Sequence, residues 1–166
     1  MRQIISILLE NQIGALSRIV GLFSQRGYNI ETITAAPTED NTLSRITILT
    51  EGDNVKVERI TKQLNKLVNV IKVSSVEDHR QMVEREILFV KVQALGHNVR
   101  EELKTVSDIF KAEIVDLTPE LFIVQYVNTS PEVDRFLKAI SEEADVIETV
   151  RSGVCGIFRG DHSLHS

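Results

Sequence analysis

Tryptophan is absent from this 166-residue chain, cysteine occurs once, proline three times, and aromatic residues make up only 5%. Each shortage removes a class of function. A single Cys155 can form no internal disulfide and no C-x-x-C redox pair, and a chain that needs neither suits a reducing, cytoplasmic compartment. So few aromatics argue against a sheet that stacks single-stranded RNA bases, since Phe23, Phe110 and Phe136 all fall on helix stripes instead. Positive charge is also short: 19 Lys and Arg stand against 24 Asp and Glu, a net charge of -5. The basic residues are spread along the chain, so no stripe offers itself to a phosphate backbone and no nucleic-acid partner is expected. No apolar run approaches the roughly 18 residues needed to cross a bilayer, and no membrane partner is expected either. The opening MRQIISILLE is interrupted by Glu10 and Asn11 without a small-residue cleavage site, and reads as a first strand rather than a signal peptide.

Reactive constellations are equally scarce. There is no phosphate-binding glycine loop, no dinucleotide fingerprint and no H-E-x-x-H zinc motif. No nucleophile has a base at a recognisable spacing, so no catalytic residue is assigned. The two histidines of HSLH (162–165) have a metal-like spacing but no companion ligands, and no metal site is assigned to them.

What the chain does contain is one pattern written twice. In residues 3–9 alternation puts Ile5, Ile7 and Leu9 on one strand face. From Ala15 the period lengthens, and Leu16, Ile19, Val20 and Phe23 form a helical stripe stopped near Arg26 and Gly27. Residues 29–36 and 43–50 read as strands around the turn-rich PTEDN, with Ile46 and Ile48 on one face. Asp53 or Asn54 caps a helix carrying Val57, Ile60, Leu64 and Leu67, and 69–74 closes the unit. The order repeats: strand 84–94, a helix on Val99, Leu103, Val106 and Phe110, and strands 113–118 and 121–127. A helix capped by Ser130 with Pro131 in its first turn carries Val133, Phe136, Leu137 and Ile140, and strand 146–152 ends the series. The fold class is therefore α+β, two ferredoxin-like βαββαβ domains. The expected divisions are 1–76, a polar linker 77–83, a second domain 84–158 and a disordered tail 159–166. Domains this small leave one sheet face uncovered, so association with a partner is expected.

The most informative stretch is ENQIGALSRIVGLFSQRGYNIETITAAPT. A helix start presents unpaired N–H groups and the positive end of a dipole, a natural seat for an anion. Gly14 allows close approach of a ligand there, and Asn11 supplies an amide that both donates and accepts. A small zwitterion with an apolar tail matches, its tail beside Ile13 and Leu16. The same residues also serve simply to shape a turn and cap a helix. Asn29 opens the second strand, which in the usual 4-1-3-2 order lies at a sheet edge where a second copy can pair.

ENQIGALSRIVGLFSQRGYNIETITAAPTEDNTLSRITI, with VEREILFVKV, FKAEIVDLTPE and VRSGV further on, resembles the acetolactate synthase (acetohydroxyacid synthase) small subunits, whose N-terminal domain is of the ACT type. The resemblance covers nearly the whole chain. It implies a non-catalytic regulatory subunit that activates a large catalytic subunit and mediates feedback inhibition by valine in branched-chain amino-acid synthesis. It also implies a homodimer in which Asn11, Gly14, Ala15 and Leu16 line the effector site and Asn29 and Ile30 of the neighbouring subunit close it. Thiamine diphosphate, Mg and FAD are then expected in the large subunit and no cofactor in this chain. One departure stands beside the pocket: Ile13 occupies a place where the family often has proline or a small polar residue, which bears on effector preference. A free-standing ACT amino-acid-binding protein acting on another partner is the alternative.

Overall fold

The computed structural model describes residues 2–76 and 79–164. Its elements are β1 (Arg2–Glu10), α1 (Ala15–Gln25), β2 (Ile30–Pro37), β3 (Leu43–Glu51), α2 (Asn54–Asn65), β4 (Val70–Val76), β5 (Met82–Gln93), α3 (His97–Phe110), β6 (Glu113–Leu117), β7 (Leu121–Asn128), α4 (Ser130–Glu143), β8 (Val146–Arg151) and β9 (Cys155–Phe158). A single 3-10 turn, His79–Gln81, precedes β5. Both sheets are antiparallel, ordered β2-β3-β1-β4 and β6-β7-β5-β8, with β9 additionally pairing β5. This is the βαββαβ arrangement expected from the alternation of periods, twice over.

In the first unit, alternation along β1 sends Ile5, Ile7 and Leu9 into a core completed by Ile19, Phe23, Ile46, Ile48, Val57, Ile60 and Leu64. Asp53 caps α2 by accepting from the Lys56 N–H at 2.8 Å, and Gly27 leaves α1 at a positive φ of 71° that a side chain would disfavour. The second unit has its own core of Leu88, Val90, Val92, Leu103, Val124, Val133, Phe136 and Ile140. There Thr129, not Ser130, is the residue before α4. The Ser130 hydroxyl instead donates to Glu86 Oε2 at 2.8 Å.

The division of the chain differs from the expected one. One compact unit comprises residues 1–84 together with 154–166, the other residues 85–153. The boundary falls inside β5 rather than in a polar linker, because Met82 is an apolar residue already buried in that strand. Of the expected linker, Glu77 and Asp78 lie outside the described residues. Residues 154–158 pack with the first unit, and the described part of the expected tail is not all loose. Val154, Phe158 and Leu164 pack with Met82 on Ile4, Leu8, Leu49 and Val76, covering the opposite face of the first sheet from its helices. Polar side chains fasten the same segment. Thr34 Oγ1 donates to the Val154 carbonyl at 3.2 Å, the Val154 N–H donates to Thr32 Oγ1 at 3.4 Å, and Arg45 donates to the Gly156 carbonyl at 3.0 Å.

Candidate functional site

The β1–α1 junction is built by backbone first. Beyond Glu10 the chain is tied to the β2–β3 hairpin by the Asn11 N–H, which donates to the Thr42 carbonyl at 2.7 Å, and by the Asn11 side-chain amide, which donates to the Asn41 carbonyl at 3.2 Å. Gly14 then adopts φ 82°, and α1 begins with no side chain capping it and no acidic residue in its first turn. The first helical bond runs from the Arg18 N–H to the Gly14 carbonyl, and the Ala15 N–H is taken by Gln12. The N–H groups of Leu16 and Ser17 therefore stand ahead of the ladder, at the positive end of the helix dipole.

In front of them is a small cleft of about 170 Å³. Asn11, Ala15 and Leu16 line it, and Gly14, in the turn between them, does not. Its far wall comes from Ala35, Ala36 and Pro37 of β2 and from Ser44 and Ile46 of β3. Sequence reasoning missed that wall. Its signal was the 4-1-3-2 strand order, which puts the start of β3 beside the end of β1 and the end of β2 one strand further out.

Asn29 and Ile30 do not join this cleft. They follow the other end of α1, whose 11 residues span about 16 Å. Asn29 is exposed, and its backbone carbonyl rather than its side chain is engaged, accepting from Thr50 Oγ1. Ile30 pairs with Thr50 at the start of β2, an edge strand. Both residues reach an α1 N-terminus only if that helix belongs to another copy.

The helix also differs from expectation in phase. Ala15, Ile19 and Phe23 are the buried residues of α1 and Leu22 packs against the same core. Leu16 and Val20, expected on the core stripe, are 44% and 40% exposed, and Ile13 is fully exposed. An apolar row thus faces outward beside the cleft. Among the described residues no cluster of three potential metal ligands occurs. Of the two tail histidines, His162 stacks edge-on to Phe158 with ring centroids 4.2 Å apart, and His165 lies outside the described residues. No helix among the described residues is long and apolar enough to cross a membrane.

The two sheet orders, each with its pair of helices, define a chain of two ferredoxin-like modules. Residues 5–72 match the AHAS small subunit-like ACT domain, and residues 85–160 match the small subunit of acetolactate synthase. The chain is 54% identical, over 97% of its own length and 98% of theirs, to the acetolactate synthase isozyme 3 small subunits of Salmonella typhimurium and Escherichia coli K12. It is 49% identical to the acetolactate synthase small subunit of Haemophilus influenzae, over 99% of both chains. The crystal structure of the Thermotoga maritima acetolactate synthase small subunit superposes with a TM-score of 0.88 at 30% identity, covering 98% of this chain and 99% of that one. The chain belongs to the acetolactate synthase small-subunit family.

Proposed function

We propose that this chain is the regulatory subunit of an acetolactate synthase, raising the activity of a large catalytic subunit and conferring feedback inhibition by valine. The observation that carries the reading is the uncapped α1 N-terminus opening on a cleft beside Asn11 and Leu16. Valine presents a carboxylate to the N–H groups of Leu16 and Ser17, an ammonium group to the amide oxygen of Asn11, and an isopropyl group to Ala15 and Leu16. Asn29 and Ile30 of a second copy close the site, the two copies joining at the β2 edge. Because two subunits build the site, valine favours one dimer arrangement, and the large subunit responds to that arrangement. The chain itself is non-catalytic. Thiamine diphosphate, Mg and FAD lie with the large subunit in this reading, and the complex is cytoplasmic.

The test is reconstitution. Acetolactate formation by the large subunit is measured with and without this chain and across a valine titration, for the native protein and Gly14→Asp. Asp tolerates the left-handed conformation better than most residues, at about 1 kcal/mol, and a Cβ added at Gly14 meets nothing within 4 Å. Its carboxylate takes the place of the ligand's on the helix start. The expected result is retained activation with half-inhibition by valine shifted at least about tenfold, which is 1.4 kcal/mol of lost affinity. Unchanged valine sensitivity in Gly14→Asp overturns the site, and no activation by the native chain overturns the function.

A further inference from the structure

A larger cleft, about 540 Å³, lies on the other face of the first sheet, between β2, β3 and β9. Its volume is that of a small-molecule site. The cleft shares Ala35, Ala36 and Pro37 of β2 with the cleft at the β1–α1 junction, but it opens on the opposite sheet face and differs in chemistry. Its floor carries Arg45, the only cation among the described lining residues, flanked across the sheet by Leu8 on one side and Ala36 on the other.

Arg45 is unusually placed for an arginine. It is half-buried, yet among the described residues no carboxylate pairs with it, and its one hydrogen bond goes to the neutral carbonyl of Gly156. A guanidinium has five N–H donors, so most of its capacity is unused. Burial pulls its pKa below the ordinary value, with the Cys155 thiol acting in the opposite direction. A partly desolvated cation with no counterion among the described residues is relieved by an anion. The rest of the lining restricts which anion fits. Leu8, Leu43, Ile157 and Leu164 give an aliphatic wall, and the exposed Glu39 and Asp40 add two carboxylates. Asp40 is held ionised below its usual range by hydrogen bonds from Thr42. With one arginine and two acidic groups in the lining, a second negative charge on a ligand is disfavoured, and a single carboxylate on an aliphatic body fits Arg45 best.

We propose that the cleft between β2, β3 and β9 is a binding site for an aliphatic monocarboxylate, its carboxylate on Arg45 and its chain against Leu8, Leu43 and Leu164. The site lies on the opposite sheet face from the valine site and takes its charged group from Arg45 rather than from a helix start. An α-ammonium group on the ligand meets Glu39 and Asp40, so the same chemistry is supplied either by an amino acid or by a plain carboxylic acid.

Cys155 gives the test a built-in reporter. It is the only cysteine, it is exposed and it lines this cleft, so its alkylation rate by iodoacetamide reports occupancy. The full chain is alkylated with and without 4-methylpentanoate, leucine or isopentylamine, each at millimolar concentration. Expected is slowing by about fivefold at four times the dissociation constant, in the native chain and in Gly14→Asp, with no slowing by isopentylamine. Stronger protection by leucine than by 4-methylpentanoate makes the ligand an amino acid; equal or weaker protection makes it a plain carboxylate. Arg45→Gln removes the cation. Ile157→Glu, at an exposed position, adds a competing carboxylate while leaving the Arg45–Gly156 bond in place. Both variants are expected to lose protection. No protection of the native chain by either carboxylate, equal protection by isopentylamine, or full protection of both variants overturns the proposal.

Discussion

Glu86 is 2% exposed and holds two partners at once. Arg151 donates to it from Nε at 2.6 Å and from a terminal nitrogen at 3.1 Å, while Ser130 fills a remaining lone pair at 2.8 Å. The same guanidinium donates to Asp134 at 2.6 Å, and these contacts raise its pKa further above its ordinary value. Arginine is charged at every accessible pH, so no pH step in stability is expected from it. Glu86→Gln keeps the shape but removes the charge. Breaking a buried pair costs about 3–5 kcal/mol when neither partner reaches water, and Arg151 does reach it, so a loss of about 2 kcal/mol is expected in urea unfolding. Nothing in the local sequence announced this network, because 65 residues separate Glu86 from Arg151. Asn29 makes the opposite case. Its residue type and position were legible, and the structure leaves its side chain exposed. Asn29→Ala is expected to leave stability within about 0.5 kcal/mol and to weaken valine inhibition in the reconstituted enzyme. A fall in stability with valine response intact would return Asn29 to a structural role.

At the scale of elements, α1 shows how far periodicity reaches. Leu16, Ile19, Val20 and Phe23 fit a 3.6-residue stripe, but so do Ala15, Ile19, Leu22 and Phe23, and both sets are apolar. Periodicity locates a helix; it does not choose between two adjacent apolar faces. The sheet beneath makes that choice, and the unchosen face becomes the exposed row beside the β1–α1 cleft. The helices α2 and α4 have one apolar face each, and their buried residues agree with the stripes read from sequence. The strand β9 was not legible at all. CGIF is short, and its place is set by side chains more than 110 residues away in sequence: Thr32, Thr34 and Arg45. Phe158 anchors the segment at 8% exposure. Phe158→Ala is expected to cost about 3 kcal/mol and to speed proteolysis after Arg159. Unchanged urea stability would mean that the segment adds little to the first unit.

At the scale of the whole molecule, both sheet orders followed from pattern because each βαββαβ series has short connections and few ways to close. The boundary between units did not follow. Sequence division assumes that a domain is a continuous stretch, and the first unit is not. The relatives' pattern does not expose this either, since one family match runs unbroken from residue 85 to 160. The consequence is testable with a fragment. Residues 1–84 alone contain both helices and all four strands of the first sheet, but leave Ile4, Leu8, Leu49 and Val76 without Val154, Phe158 and Leu164. That fragment is expected to bind the dye ANS strongly, while the full chain does not. A fragment that unfolds cooperatively and ignores ANS would make the covering segment dispensable.

The discontinuity also bears on how the protein is made. Synthesis runs from the N-terminus, and domains ordinarily fold in the order in which they emerge. Here β1 leaves the ribosome more than 140 residues ahead of Phe158 and Leu164, yet its second face waits for them. Residues 85–153 can complete their own core earlier. The half that begins first finishes last, so a product terminated early carries an exposed apolar sheet face and is marked for quality control by its own incompleteness.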